Sequence, residues 1–464
     1  MELIKSKNLR IVKSSKKVFL YSSLYGNLCK THKDVIAIID FFNKPNDSQD
    51  FKINHEQRGQ YKKTIEKFRK YKFLVTPGED EYCEIRREVK KFIKEAKSGK
   101  FITNLRLNTS ENCNFACEYC FIGKINRKYH TEMNLKEMSW TIARKAIVNF
   151  YKLLTINKLK EANIRFFGGE PLLNPLVVIK SIELASFLSR KYNIKTKYLV
   201  NTNGSIANEK LSKVFRKHRV DIIVSLDGLK GINDRYRKLK SGKGTFDLII
   251  RNIAIFQRNQ NKIIISTVIN NDDSRYQLKK FINFLVNKGI KSVGINYEQC
   301  YSREKRRKGM AVFVSRSLIQ AKNYAIKEKV NLHGFWELPY LKLIKGSLSY
   351  CGGIGRELSV DYKGNVYPCS GIKIRLGTVA EILEIPRKKN YLKIIKRVVG
   401  NIKGCKGCEI EAMCSGGCAA EAMYVYRDFY KKAPDCILRK SLTKALILED
   451  KPDILMRQKV NKNI

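Results

Sequence analysis

The run Glu111-Asn112-Cys113-Asn114-Phe115-Ala116-Cys117-Glu118-Tyr119-Cys120-Phe121 carries three cysteines in a C-x3-C-x2-C spacing. Three thiolates this close together can hold three irons of a cubane iron–sulfur cluster. The fourth iron is then left without a protein ligand and stays open to a small molecule, so the run reads as a reaction centre before a structural one. The plainer alternatives are a zinc knuckle or a group of buried thiols, since free cysteine is often a small apolar core residue. Structural zinc usually takes four protein ligands, and the nearest histidine, His130, lies ten residues beyond Cys120.

Around this run, from about residue 100 to 330, the chain alternates strand and helix. Candidate strands are Leu105–Thr109, Ile164–Phe167, Tyr198–Asn201, Ile222–Leu226, Ile263–Val268 and Val293–Asn296. Helical patterns lie between them, among them Leu176–Arg190, Phe246–Arg258 and Tyr276–Lys288. Such alternation implies a parallel sheet covered by helices, with functional groups at the C-terminal strand ends. The cysteine loop, Gly168-Gly169-Glu170, Asn201-Thr202-Asn203-Gly204 and Ser225-Leu226-Asp227-Gly228 all lie at or just after strand ends. In Phe166-Phe167-Gly168-Gly169-Glu170-Pro171, the two glycines let the backbone approach a ligand closely, and Glu170 offers an acceptor to an ammonium. In isolation the same letters describe a turn that closes a strand.

Taken together, the cysteine run and the Gly-Gly-Glu segment resemble the signatures of radical S-adenosylmethionine (SAM) enzymes. The resemblance implies an α/β fold built on a partial (β/α)6 barrel, with SAM on the open iron of a 4Fe-4S cluster held by Cys113, Cys117 and Cys120. Gly168, Gly169 and Glu170 would meet the amino group of SAM, and Asn203 would join the cofactor-contacting set. Ser225 and Asp227 would lie near its ribose and methionyl carboxylate. Arg237 would pair with that carboxylate through its bidentate fork, and Tyr119 or Phe121 would stack on the adenine. The family often has His where this chain has Asn233.

Seven more cysteines fall between residues 351 and 436: Cys351, Cys369, Cys405, Cys408, Cys414, Cys418 and Cys436. The group from 405 to 418, taken alone, also suits zinc. In order and spacing the seven resemble the SPASM domain, which carries auxiliary iron–sulfur clusters in peptide-modifying radical SAM enzymes. By that resemblance Cys405, Cys408, Cys414 and Cys436 would enclose one auxiliary 4Fe-4S cluster, and Cys351, Cys369 and Cys418 would hold another, three clusters in all. Two four-iron clusters closed by thiolates need eight ligands, and the segment offers seven. Either one iron is open to a substrate thiolate, which a metal would keep deprotonated, or the eighth ligand comes from elsewhere, with Cys29, Cys83 and Cys300 unassigned. Anaerobic sulfatase-maturing enzymes carry an Asp base immediately after the Gly-x4-Cys cysteine. This chain has Ser370 there, and a hydroxyl is a poor base without an activating partner.

The flanks complete the layout. Residues 1–95 read as a small α+β, winged-helix-like domain, with two strands within Val12–Tyr21, helices at Lys33–Phe42 and His55–Tyr71, and a strand beginning at Phe73–Val75. Such domains grip the leader of a precursor peptide in related enzymes, by adding a strand to a sheet edge. Residues 100–330 are the barrel, 345–440 the cysteine-rich segment and 441–464 a C-terminal helix or tail. The 464 residues carry 92 Lys and Arg against 43 Asp and Glu, a formal charge of +49. The basic residues are spread through every segment, with one dense run from Arg303 to Lys308, so the charge reads as a general lysine-rich bias and not as a specific nucleic-acid site. No apolar run reaches the roughly 18 residues of a membrane span, and the first residues lack a signal-like stretch. The expected location is the cytosol, where thirteen cysteines favour metal over disulfides. The expected activity is radical crosslinking of a ribosomally made precursor peptide, most simply through cysteine thioethers, with an electron donor such as flavodoxin or ferredoxin. The alternatives are carbon–carbon crosslinking or epimerisation of a peptide, formylglycine formation in a sulfatase, and a non-catalytic electron carrier or leader-binding scaffold.

Overall fold

Strand periodicity decides how the N-terminal residues pack. The computed structural model describes residues 1–14, 17–52, 54–120, 136–269, 277–298, 308–343 and 347–449. Its first strands are β1 (Glu2–Lys5), β2 (Leu9–Lys13), β3 (Val18–Ser22), β4 (Gly26–Thr31), β5 (Asn46–Asp47) and β6 (Leu74–Val75). β2, β3 and β4 form an antiparallel sheet, and β1 pairs with β5 and β6. Side chains alternate across a strand, and β3 uses both faces. Phe19 and Tyr21 enter the main core of the molecule, while Val18 and Leu20 enter a smaller core with Leu3, Ile39, Phe68 and Phe73. The helices Val35–Phe41 and Arg58–Lys70 close that smaller core, and the helix Cys83–Ala96 returns Ile85, Phe92 and Ala96 to the main one.

The next strands are β7 (Asn104–Ser110), β8 (Glu161–Gly168), β9 (Lys195–Thr202), β10 (Asp221–Ser225), β11 (Ile263–Ile269) and β12 (Ser292–Tyr297). They coincide with the six strands legible in the sequence and pair in parallel, each with the next. The intervening helices include Pro175–Lys191, Phe246–Arg258 and Leu278–Asn287. Leu105, Leu107, Ile164, Phe166, Val200, Ile222 and Val224 are buried on the helix-covered face. Arg106, Asn108, Arg165, Phe167 and Asn201 alternate with them and line the inner face.

The sheet is wider than the six expected units. β13 (Asn331–His333) extends one edge, and β14 (Glu357–Val360), β15 (Asn365–Tyr367) and β16 (Gly377–Thr378) extend the other, giving ten strands in the order β13-β12-β11-β10-β9-β8-β7-β14-β15-β16. β14 lies parallel to β7, with Ser359 opposite Arg106. The cysteine-rich segment therefore shares the barrel's own sheet and core. These added strands are two to four residues long, too short for an alternating pattern to announce them. The helix Cys436–Leu448 packs against the helix Lys308–Lys327. Phe121, Cys300, Arg303 to Arg307 and the tail from 450 lie outside the described residues. Among the described residues, no helix is long and apolar enough to cross a membrane.

Candidate functional site

The cysteine loop leaves β7 at Ser110 and is clamped on two sides. On one side Gly169 N donates to Ser110 O at 2.8 Å and Glu170 N to Asn112 O at 2.7 Å. A Cβ at Gly168 would stand 2.0 Å from Ser110 O, and one at Gly169 2.2 Å from Asn112 O. Gly168 also has φ +143°, a conformation that favours glycine. The glycines thus make room first for the cysteine-loop backbone, where the sequence suggested room for a ligand. On the other side Ala116 N donates to Lys238 O at 2.8 Å and Glu118 N to Tyr236 O at 3.2 Å.

Glu170 is completely buried and joins two strand ends. Its carboxylate accepts from Leu172 N at 3.0 Å, Thr202 Oγ1 at 2.8 Å and Asn203 N at 2.6 Å. Burial pushes its carboxyl up to about 7, against the pull of these donors. A carboxylate has about four acceptor positions, so one remains for an incoming ammonium. Asn203 faces the cysteine loop: its Nδ2 donates to Asn114 Oδ1 at 2.8 Å and lies 3.6 Å from Cys113 Sγ.

A second cluster of expected residues forms below Cys117. Tyr119 donates to Asp227, Arg237 Nη1 donates to Tyr119 Oη at 2.6 Å, and Nη1 lies 3.6 Å from Asp227 Oδ2. Asp227 Oδ1 also accepts from Val268 N at 2.9 Å. Arg237 is buried, and its Nε has no hydrogen-bond partner among the described residues, leaving a donor for an acidic ligand group. Tyr119, expected against an adenine ring, has its hydroxyl committed to this ion-pair network. Ser225 ends β10, half-buried, and is not drawn into the network. Sequence reasoning missed the brace behind Asp227. Asn233, fully buried, accepts from Asp227 N at 3.3 Å and donates to Thr245 Oγ1 at 3.0 Å. The departure from His at this position was its only signal.

The thiols fall into three groups. Burial raises Cys113 and pushes Cys117 up to about 12, and both feel the charge of Cys120. Cys351 and Cys369 face one spot: a Cβ on Gly353 would lie 3.6 and 3.7 Å from their sulfurs. Cys418 lies within electrostatic reach of both. Cys405 is pushed up to about 12 by burial and then by Cys414, Cys436 and Cys408. Arg397, fully buried, sits between the last two groups and donates to five backbone carbonyls, those of Phe429, Ser415, Gly417, Gly416 and Lys431. Among the described residues, no three His, Cys, Asp or Glu converge as ligands of one metal ion. Zinc draws its ligands onto a single centre at about 2.3 Å, whereas a cubane takes one thiolate per iron and keeps them apart. Groups of three and four thiols suit iron–sulfur clusters, which take one thiolate per iron.

Ser370 is buried in a polar network, donating to Asn108 Oδ1 at 3.2 Å and lying 3.3 Å from Ser359 Oγ. The nearby carboxylate, Glu357, is occupied by Arg106, with Nε 3.0 Å from Oε1 and Nη2 donating to Oε2 at 3.1 Å.

Comparison with known proteins bears on this arrangement. Residues 107–285, which span the cysteine loop, Glu170, Asp227 and Arg237, match the model of the radical SAM superfamily. Residues 107–285 are a radical SAM domain. Membership of the superfamily brings a 4Fe-4S cluster and SAM. The radical SAM cyclopropyl synthase TigE of Paramaledivibacter caminithermalis is 24% identical over 465 residues, 97% of each chain. A cysteine-type anaerobic sulfatase-maturating enzyme of Clostridium novyi is 27% identical over 348 residues, 69% of this chain and 88% of its own. Among solved structures, SuiB of Streptococcus suis bound to its precursor peptide SuiA superposes with a TM-score of 0.55 at 14% identity, over 94% of this chain and 99% of SuiB. The chain is thus related to maturating enzymes, and its fold is similar to that of SuiB, which was solved with a precursor peptide bound.

Proposed function

We propose that this radical SAM enzyme is a peptide maturase that removes two hydrogens from a ribosomally made precursor and closes a new covalent bond within it. Cys113, Cys117 and Cys120 would hold the SAM-binding cluster, Cys405, Cys408, Cys414 and Cys436 a closed auxiliary cluster, and Cys351, Cys369 and Cys418 an inner one. When bound, the first cluster and SAM supply a 5′-deoxyadenosyl radical that takes a hydrogen atom from the substrate. The chain's own residues prepare that event. Glu170 offers its remaining acceptor position to the ammonium of SAM, and the Arg237 Nε offers its free donor to the carboxylate. The surrounding apolar core excludes water.

The observation that carries this reading is the parallel pairing of β14 with β7, which draws the inner cysteine group onto the barrel's sheet. One hydrogen leaves the substrate as an atom. The second would leave as a proton and an electron, and a cluster held by Cys351, Cys369 and Cys418 would supply the acceptor for that electron. We favour closure of a carbon–carbon bond, because the likeness to TigE runs over 97% of both chains. A thioether is the second reading, supported by the seven-for-eight ligand count: Cys29 is buried in the N-terminal core and Cys83 is exposed, so neither completes the inner group. Formylglycine formation ranks below both, because Ser370 stands after Cys369, its hydroxyl donates to Asn108, and a hydroxyl is a poor base without an activating partner. The N-terminal sheet would receive the peptide leader along β2 or β4, its two edge strands, and the peptide-bound SuiB fold supports that partner. A reduced flavodoxin or ferredoxin would supply electrons.

The test is anaerobic incubation of the iron-loaded protein with SAM, reductant and a short peptide encoded beside this chain. Mass spectrometry should show loss of two hydrogens per new bond. Alkylation with iodoacetamide then separates the products: a thioether consumes a cysteine thiol, and a carbon–carbon bond leaves every thiol reactive. Iron-loaded protein that produces no 5′-deoxyadenosine would overturn the reading.

A further inference from the structure

The inner face of the barrel holds two arginines side by side and one carboxylate. Arg106 and Arg165 are direct partners across β7 and β8. Arg106 holds Glu357 in the ion pair described above, with one hydrogen bond from Nη2, and rests 4.9 Å over the Phe167 ring. Arg165 makes neither a hydrogen bond nor a salt bridge among the described residues. It is enclosed by the protein yet still reachable from the interior space. Burial and the neighbouring Arg106 lower its guanidinium to about 10, against the opposing pull of Glu357, so it remains a cation at neutral pH. One strand over, two residues beyond the Leu199 that pairs with Arg165, Asn201 Oδ1 is buried with no hydrogen-bond partner among the described residues.

A half-buried cation with no hydrogen-bonded partner, on the same face as an unpaired buried acceptor, is costly unless something completes the set. The position suggests what does. Arg165 lies three residues before Gly168, about 10 Å down the strand from the cofactor end. Cys369 feels Glu357 and Arg106. Arg165 thus stands on the inner face between the strand end that carries Gly168-Gly169-Glu170 and the Arg106–Glu357 pair. An arginine fork matches a carboxylate in geometry and charge, and an amide oxygen next to it matches a peptide N–H.

We propose that Arg165 is a specificity-determining residue that takes a carboxylate of the substrate peptide inside the barrel, while Asn201 Oδ1 accepts an adjacent peptide N–H. The inference rests on the peptide-maturase reading and adds the chemistry of the residue that anchors the peptide. The carboxylate comes either from an Asp or Glu side chain or from the peptide's own C-terminus.

The probe is a pool of randomised hexapeptides, in one arm with free C-terminal acids and in the other amidated. Each is incubated anaerobically with the iron-loaded, SAM-loaded protein, and retained peptides are identified by ultrafiltration and mass spectrometry. The wild type should enrich carboxylate-bearing peptides at least about tenfold, a factor in the range of one charged hydrogen-bonded pair. Persistence of the preference in the amidated arm assigns it to Asp or Glu, and its confinement to the free-acid arm assigns it to the C-terminus. R165Q should abolish the preference, and R165K should keep part of it. No carboxylate enrichment by the wild type, or undiminished enrichment by R165Q, overturns the proposal. Peptide-independent formation of 5′-deoxyadenosine by the wild type checks the radical reading separately, so the two can fail apart.

Discussion

Gly169 and Glu170 do different work although they are neighbours. Gly169 is a steric position: a Cβ there would lie 2.2 Å from Asn112 O, and the obstacle is backbone that carries Cys113. Gly169→Ala should push the cysteine loop away, destabilise the fold by about 1–3 kcal/mol, and lower the iron bound by the barrel, read by iron analysis and thermal melting. Glu170 is an electrostatic position. Its carboxyl, pushed up to about 7 by burial, is partly protonated at neutral pH before a cation arrives. The ionised form is the one that attracts an ammonium, so affinity for SAM should rise as pH rises through about 7 and level off above it. Glu170→Gln should bind SAM more weakly and lose that dependence, measured by equilibrium dialysis; a Gln variant with the wild-type pH profile would remove Glu170 from the SAM site. At this scale the sequence was readable wherever chemistry sits in a local spacing, as with the cysteine groups and the Gly-Gly-Glu segment. It was opaque where partners are distant. The contact of Tyr119 with Arg237 and Asp227 spans more than 100 residues, and nothing in Arg165-Phe166-Phe167 says which of three residues faces inward.

Elements long enough to show a period were legible to within a few residues. The helix Phe246–Arg258 has the bounds its apolar spacing suggests, and the six parallel strands follow from buried alternation. The strands β13 to β16 were not legible, because their order is set by docking against β7 and β12 and not by their own few residues. The turn at 414–418 shows how such a segment is held without much secondary structure. Ser415, Gly416 and Gly417 all have positive φ, a strained state for the serine, and Arg397 ties their three carbonyls with two more. Arg397→Leu leaves those carbonyls buried and unpaired, at about 1–3 kcal/mol for each one that finds no water. The expected result is a protein that keeps the iron of its barrel group and loses iron from the Cys405–Cys436 and Cys351–Cys418 groups. Iron content and the spectra of the reduced clusters would show this; retention of the full complement would mean that the turn stands without its arginine.

At the scale of the molecule, the N-terminal residues look separable in sequence and are not separable in packing. Val12, Phe19, Tyr21, Leu24, Ile85, Phe92 and Ala96 all belong to the main core, and Tyr82 donates to Glu411 at 2.8 Å, beside the turn between Cys408 and Cys414. Exposing the larger of these side chains costs roughly 1.5–3 kcal/mol each, and five or six of them approach the whole stability of a typical domain, about 5–15 kcal/mol. A chain that starts at residue 100 should therefore fail as a leaderless enzyme, by exposing its core and losing auxiliary iron, before any question of peptide recognition arises. Soluble yield, iron content and cooperative melting measure this directly. Because a truncation can fail for many reasons, Phe19→Ala supplies a graded test: it removes one ring from the shared core and should cost about 3–5 kcal/mol, whereas Lys13→Glu at the exposed end of β2 should leave melting and iron content unchanged and alter only leader affinity. A truncated chain that melts cooperatively with all its iron would show that the N-terminal sheet is an appendage after all.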